Sequence, residues 1–274
     1  MACYHRLFEA VALEKPEAVF VGGDFLPHRL YIDESMDIRH QDFIGGYLLK
    51  KFLALREELA GSYPRIFLIM GNDDPRFEEA AVLDAAAQGI WEYIHQRRVM
   101  LGEFAVYGYA FVPPTPFLLK DWDRYDVSRY VDPDAVPPEE GWRSVPVTEQ
   151  EIRYGTIKED LERLVKDADL TKAIFLFHSP PYQTKLDWSV RGGRKIDHVP
   201  LDRHLGSIAI RRFIETRQPL LTLHGHVHES ARLSHSWRDR LGRTYCFSAA
   251  HDGPELALVR FDPENLAEAG RELI

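Results

Sequence analysis

The chain has 274 residues, of which 45% are hydrophobic and 28% are charged, and this composition is typical of a globular protein. It excludes a disordered, collagenous or coiled-coil chain. Lysine and arginine together number 34 and aspartate and glutamate 43, so the formal net charge is −9. Because an acidic surface repels a phosphate backbone, we expect no broad binding to nucleic acid. The length allows one large domain or two small ones.

The cysteine content and the N-terminal residues bear on the compartment. Two cysteines, Cys3 and Cys246, are too few for a disulfide framework, and two thiols in a reducing cytosol are the simpler interpretation. The N-terminal sequence MACYHRLFEAVALEK has the pattern of an amphipathic helix and lacks the apolar core of a signal peptide. No apolar run approaches the length that spans a bilayer. We therefore predict a cytoplasmic protein with no membrane partner.

Short apolar runs alternate with helical patterns along the chain. After the N-terminal helix, four runs are typical of strands buried on both faces: Ala18–Val21, Arg65–Met70, Ala173–Phe177 and Leu220–Leu223. The last three follow helical patterns over Gln41–Leu59, Ile157–Lys166 and Ser207–Thr216. Two further stretches are typical of paired strands, Gly102–Val112 and Thr244–Phe261. The alternation predicts an α/β fold with two packed mixed β-sheets flanked by helices.

Residues 113–154 interrupt this alternation. The segment contains seven prolines and little periodicity, and a connection of this length inside a compact domain is usually a lid or a binding loop. A solvated linker between two domains is the alternative. Four large aromatic residues favour the lid, because they are too apolar for a free linker: Trp122, Tyr125, Tyr130 and Trp142. We therefore predict a single domain over residues 1–274, with a lid-like insert at about 113–154.

Polar residues follow each of the four buried strands. They are Asp24 after Gly22-Gly23, Asn72-Asp73-Asp74 after Gly71, His178 after the third strand, and His224-Gly225-His226-Val227-His228 after the fourth. Ligands of open α/β sheets bind at the carboxyl ends of the strands, so we expect these side chains to meet at one edge. Each motif alone also occurs in ordinary turns and helix caps. The four together, in this order, indicate a site of oxygen and imidazole donors.

This series of motifs resembles motifs two to five of the calcineurin-like metallophosphoesterases. The resemblance extends from Gly23 to His228, which is most of the chain. The stretches His226-Val227-His228-Glu229-Ser230 and His204-Leu205-Gly206-Ser207 resemble a branch of small prokaryotic phosphoesterases. The resemblance implies a sandwich of two sheets between helices, two divalent metal ions and hydrolysis of a phosphate ester.

The resemblance also implies roles for the motif residues. Asp24 would bridge the two cations, and the second cation would be bound by Asn72, His178 and His226. His228 would bind the first cation. Mixed nitrogen and oxygen ligands without thiolate fit Mn, Fe or Zn, and the sequence does not choose among them. A water on such cations loses its proton at neutral pH and becomes the nucleophile. The residues predicted to be catalytic are Asp24, Asn72, Asp73 and His178.

The N-terminus departs from the family pattern. The first motif, Asp-x-His after an N-terminal strand, is missing from the sequence, and we expect the strand itself to be absent. The first metal would then keep only Asp24 and His228 as protein ligands, so this metal site is in doubt. Two explanations stay open. Either the sequence lacks a native N-terminal segment, or the protein has lost one metal.

Asp73 is the second departure, since many phosphomonoesterases of the family have a histidine there that helps to protonate the leaving group. A carboxylate is a poor general acid near neutral pH, and Asp73 therefore favours phosphodiesters over monoesters. A turn in which Asp73 has no catalytic role is the alternative. His204 is the predicted substrate-binding residue, because it lies just before an expected helix start and helix N-termini attract phosphate. His28 is predicted to lie on the surface.

We therefore predict metal-dependent hydrolysis of a small-molecule phosphate ester, a phosphodiester rather than a monoester. Two alternatives stay open. One is a binding scaffold that has kept the phosphoesterase fold and lost turnover, and the other is a phosphoprotein phosphatase. A basic loop after His178 contains Tyr182, Lys185, Arg191 and Arg194, and is either a contact for the substrate anion or an ordinary solvated loop.

Overall fold

A computed structural model describes residues 2–27, 43–193, 195–196 and 198–274. Its α-helices are α1 (Ala2–Glu14), α2 (Leu49–Leu59), α3 (Glu79–Ala87), α4 (Glu149–Tyr154), α5 (Ile157–Val165), α6 (Ile208–Arg217) and α7 (Ser230–Ser234). A π-helical turn, Ile44–Leu48, leads into α2, and short 3₁₀ turns cover Ala60–Ser62, Arg76–Glu78 and Leu266–Glu268. The predictions for His28 and Arg194, and the start of the helix predicted from Gln41, lie outside the described residues.

The strands are β1 (Ala18–Gly22), β2 (Arg65–Ile69), β3 (Glu92–Tyr93), β4 (Arg97–Leu101), β5 (Phe104–Tyr109), β6 (Ala173–Phe177), β7 (Lys195–Ile196), β8 (Val199–Pro200), β9 (Leu221–His224), β10 (Arg238–Leu241), β11 (Thr244–Ser248), β12 (Ala257–Arg260) and β13 (Gly270–Leu273). Within the described residues, no strand precedes α1, and β1 lies at the edge of its sheet.

Two main sheets form the centre of the molecule. One has the order β1-β2-β3, and its pairs are parallel. The other has the order β10-β11-β9-β6-β5-β4, with four parallel central strands and antiparallel edge strands. β1 packs on β6 and β2 on β5, and helices flank the sheets. The predicted α/β class is confirmed, and mixed pairing is found in the six-stranded sheet.

Strand pairing departs from the prediction at both predicted hairpins. β5 pairs with β4, which precedes Gly102, so the hairpin begins earlier than expected. β11 pairs with β9 and β10, whereas β12 pairs with β13, so Thr244–Phe261 does not fold back on itself. The turn residues of the sequence locate the chain reversals, but tertiary packing decides which strands lie side by side.

The insert at 113–154 is anchored to the core at its middle. Trp122 is fully buried, and its indole nitrogen donates to the carbonyl of Asp74 at 2.8 Å. Asp126 is buried as well and accepts hydrogen bonds from the first turn of α6. Tyr130 and Trp142 are exposed. The insert therefore joins the Asp74 loop to the start of α6. Among the described residues, no helix is long and apolar enough to cross a membrane.

Candidate active site

The loops that follow β1, β2, β6 and β9 meet at one edge of the two sheets. β1 and β2 are parallel neighbours, as are β6 and β9, and β1 packs on β6 across the sheets. These loops carry Asp24, Asn72, His178 and His226. Asp24 and His226 have left-handed backbone, with φ of 52° and 67°. A residue other than glycine is strained there by about 1–3 kcal/mol, and such strain is typical of functional sites.

Five predicted donors lie in direct contact. The amide oxygen of Asn72 lies 3.0 Å from Nε2 of His178 and 2.6 Å from Nδ1 of His226. Oδ2 of Asp24 lies 3.1 Å from Nε2 of His178 and 3.6 Å from Nε2 of His228. The structure thus brings together all five residues predicted to bind metal.

Hydrogen bonding fixes the orientation of the central histidine. Nδ1 of His178 lies 2.7 Å from the carbonyl oxygen of Gly22, to which it donates, so Nε2 faces Asp24 and Asn72. Burial alone would lower the pKa of His178, but the Asp24 carboxylate raises it to about 9. Burial likewise opposes the charged form of Asp24, yet the charge of His178 outweighs it and lowers the pKa of the carboxyl. The two side chains therefore form an ion pair.

The two histidines of the last motif differ in charge state. Burial and the charge of His178 lower the pKa of His226 to about 3, so its imidazole is neutral at pH 7. The hydrogen bond to Asp24 raises the pKa of His228, whose side chain is 46% exposed. Metal binds the neutral imidazole, so His226 can bind as it stands, whereas His178 would release the proton that pairs it with Asp24. The exposed His228 lies on the open side of the site.

Two glycines let the donors approach one another. A Cβ on Gly71 would lie 2.3 Å from Oδ1 of Asp24 and 2.5 Å from Cε1 of His178. A Cβ on Gly23 would lie 2.7 Å from Nδ1 of His178, and the φ of Gly23 is +94°. Each separation is far below van der Waals contact, so the site requires glycine at both positions.

Asp74 holds the two acidic loops together, a role that the sequence analysis missed. Its buried carboxylate accepts the backbone N–H groups of Gly71 and Leu26, both at 2.9 Å. Burial and the charge of Asp24 raise its pKa to about 7. The signal was present as a second acid in the Asn72-Asp73-Asp74 turn, but the sequence alone does not tell which acid faces inward.

The model of the calcineurin-like phosphoesterase family matches residues 2–230. The chain belongs to this family. Membership indicates metal-dependent hydrolysis of phosphoester bonds. One solved structure aligns over 100% of this chain and 93% of its own chain, at 16% sequence identity and a TM-score of 0.53. The structure of TT1561 of Thermus thermophilus aligns over 99% of this chain and 92% of its own chain, at 14% sequence identity and a TM-score of 0.53. These two likenesses concern the fold alone. No curated protein matches the sequence.

The donor set of this phosphoesterase fits the divalent metals that its family binds. Its donors are a carboxylate, an amide oxygen and imidazole nitrogens. His178 already donates its Nδ1 proton to a carbonyl oxygen, as metal-binding histidines do. With the donors in mutual contact, no three His, Cys, Asp or Glu side chains of the described residues are arranged around a metal position. The ligand roles stay predictions.

His204 is not among the five donors that contact one another. Its Nδ1 lies 2.8 Å from Oδ1 of Asp187. The helix start beside it is α6, whose Ile208 and Ala209 N–H groups donate to Asp126 at 2.6 and 3.1 Å. A protein carboxylate therefore fills the place that the sequence analysis reserved for phosphate. A substrate contact by His204 would depend on its own imidazole, and the substrate-binding role stays a prediction.

Proposed function

We propose that this phosphoesterase hydrolyses a small-molecule phosphate ester at a dinuclear centre, with phosphodiesters preferred to monoesters. The convergence of Asp24, Asn72, His178, His226 and His228 supports the proposal most strongly. Asp24 would be shared by two cations, Asn72, His178 and His226 would hold the second, and His228 would turn to the first. When bound, the cations supply an acidified water and neutralise charge on the phosphoryl oxygens.

The protein sets the charge and the orientation of the side chains around that centre. Asp24 carries the negative charge of the site, since its pKa is lowered. His226 offers a neutral ring nitrogen, and the carbonyl of Gly22 fixes the ring of His178. Manganese, iron and zinc all suit these donors.

The preference for diesters follows from Asp73. Its carboxylate accepts a hydrogen bond from the Asn72 amide at 2.9 Å, so it acts there as an acceptor and not as an acid. A phosphomonoester carries more negative charge than a diester, so the Asp73 carboxylate would repel a bound monoester more strongly than a bound diester. The substrate class, the absence of a macromolecular partner and a cytoplasmic location all belong to this proposal. The free thiols Cys3 and Cys246 support that location.

The proposal is tested by turnover of chromogenic esters. Metal-stripped protein is titrated with Mn²⁺, Zn²⁺ or Fe²⁺, and hydrolysis of bis(p-nitrophenyl) phosphate is compared with that of p-nitrophenyl phosphate. We expect no turnover without metal, restoration by Mn²⁺ and a larger kcat/KM for the diester. Metal-independent hydrolysis contradicts the mechanism, and a larger kcat/KM for the monoester contradicts the substrate class. No turnover with any metal would favour the binding scaffold.

A further inference from the structure

A histidine–aspartate pair lies outside the group of metal donors. Nδ1 of His204 contacts Oδ1 of Asp187 at 2.8 Å, and among the described residues Nε2 has no hydrogen-bond partner. The His204 side chain is 19% exposed, whereas Asp187 is fully buried. Because the carboxylate receives the Nδ1 proton, the pair leaves Nε2 directed away from it and accessible to an outside group.

Asp187 is held rigidly. Its carboxylate accepts the N–H groups of Gln183 and Thr184, at 2.9 and 3.0 Å, and that of Gly206 at 3.2 Å. A carboxylate fixed by three backbone donors does not rotate, so the ring of His204 is fixed as well. This is more support than a surface histidine needs, and it is typical of a histidine whose orientation matters for chemistry.

The loop that carries the pair is tied to both sides of the metal-donor group. On one side, the N–H of Tyr182 donates to the carbonyl of Ser207, and the N–H of Ser207 donates to the carbonyl of Pro180, which lies two residues after His178. On the other side, the N–H of Val190 donates to Glu229 at 3.1 Å, and Glu229 directly follows His228. The loop that carries His204 is therefore bonded to segments that adjoin both His178 and His228.

The position after Asn72 lacks the histidine that serves as a proton donor in many members of the family. The ester oxygen that leaves phosphorus needs a proton unless it departs as a stable anion. Asp73 occupies the position of the family's histidine and accepts a hydrogen bond instead of offering one.

We propose that His204, oriented by Asp187, protonates the leaving oxygen of the ester. This inference rests on the proposed function. The oxygen of water forms the new bond to phosphorus, and the bond from phosphorus to the leaving oxygen breaks with its electron pair on that oxygen. Nε2 of His204 gives its proton to the same oxygen, so the product leaves as an alcohol. The attacking water releases one proton to solvent, and His204 regains one from solvent, so atoms and charge balance.

The test compares two diesters that differ in the leaving group. Bis(p-nitrophenyl) phosphate releases a stable phenolate, whereas diphenyl phosphate releases a more basic one that needs a proton more. His204→Ala should lower kcat for diphenyl phosphate by about 10²–10⁴-fold, the usual contribution of a general acid, and that for the nitrophenyl ester by less than about tenfold. His251→Ala is the matched control, because His251 also contacts a carboxylate, Glu255, at 2.9 Å and is 18% exposed. It should change neither rate.

The pH profile separates proton donation from packing. Asp187 and Asp202 face His204 as carboxylates, the latter accepting its backbone N–H, and the Tyr182 ring lies 5.7 Å from the imidazole. Arg203 precedes it and stacks on Trp188. With diphenyl phosphate, the decline of kcat towards alkaline pH should disappear in His204→Ala.

Each other outcome is decisive. Equal losses on both diesters in His204→Ala, or an unchanged pH profile, overturn the inference and leave the proposed function standing. The inference is also overturned if the wild type hydrolyses the nitrophenyl ester but not diphenyl phosphate, because an acid in the site should assist departure of the poorer leaving group. No turnover of either ester by the metal-loaded wild type overturns the proposed function and this inference with it.

Discussion

Asp73 accepts a hydrogen bond from the side-chain amide of its neighbour Asn72, with 2.9 Å between Nδ2 and Oδ1. With its nitrogen engaged in this way, the Asn72 amide holds its oxygen towards His178 and His226. The backbone N–H of Asp73 donates to Oδ1 of Asp24 at 2.9 Å. Asp73 therefore orders two predicted metal ligands, and this contact favours an orienting role over an acid role.

The first prediction separates these two roles. Asp73→Asn keeps a side-chain oxygen that can accept the Asn72 amide, so kcat should fall by less than about tenfold, whereas Asp73→Ala frees the amide and should weaken Mn²⁺ binding by about 10–100-fold. Isothermal titration with Mn²⁺ and kcat for bis(p-nitrophenyl) phosphate check both variants. Equal and large losses of kcat in the two variants, with metal binding intact, would instead assign acid chemistry to Asp73.

The second prediction concerns Asp24. Asp24→Asn removes the negative charge that the two cations would share, so turnover should fall below detection and Mn²⁺ binding should weaken. Asp84→Asn on α3 is the control, because Asp84 is exposed and lies outside the site. It should leave both measurements unchanged. An Asp24→Asn protein with full activity would refute the proposed metal mechanism.

The third prediction uses the contact between two loops. Gly71→Ala places a methyl group 2.3 Å from Oδ1 of Asp24 and 2.6 Å from its backbone nitrogen, so the Asp24 loop must shift. We expect a loss of about 1–3 kcal/mol in the free energy of unfolding, together with loss of turnover. Gly61→Ala is the control, since nothing lies within 4 Å of the added carbon. Urea unfolding of both variants gives the comparison, and equal midpoints would show that the loops can separate freely.

The sequence predicted the positions of the donors because strand ends and glycine turns are local features. Ala173–Phe177 is β6 as predicted, and the residue that follows it is His178. The sequence did not predict that β12 pairs with β13, because partner choice depends on side-chain packing between distant segments. It also did not locate Asp126 or Asp187. Both belong to irregular loops, where no periodicity shows which acid faces a backbone N–H group.

The fourth prediction concerns the tie between the insert and α6. Asp126→Ala leaves the Ile208 and Ala209 N–H groups and the buried Ser207 hydroxyl without their carboxylate partner. The free energy of unfolding should fall by about 1–3 kcal/mol, and the insert should become more sensitive to limited proteolysis. Thr156→Ala, which removes an ordinary cap of α5, should cost about 1 kcal/mol and leave the insert resistant. Equal proteolysis of the two variants would show that Asp126 does not hold the insert in place.

The last prediction is a pH dependence of stability that arises from His95. Its Nδ1 accepts the N–H of Ala110 at 3.0 Å, and the rings of Phe111 and Trp122 lie 5.0 and 5.1 Å away. Burial, reinforced by the charges of Arg76 and Arg124, lowers the pKa of His95 to about 3.

Below the unfolded pKa of about 6.5, the unfolded chain binds a proton at this histidine that the folded chain does not bind. The free energy of unfolding should therefore decrease as the pH falls from 6.5 towards 3, by up to about 1.4 kcal/mol per pH unit from this group. His95→Gln can still accept the Ala110 N–H but does not titrate. Between pH 7 and pH 5 it should lose about 1–2 kcal/mol less than the wild type in urea unfolding. His5→Gln, on the exposed side of α1, should follow the wild type. Parallel pH curves for His95→Gln and the wild type would mean that His95 is protonated in the folded protein.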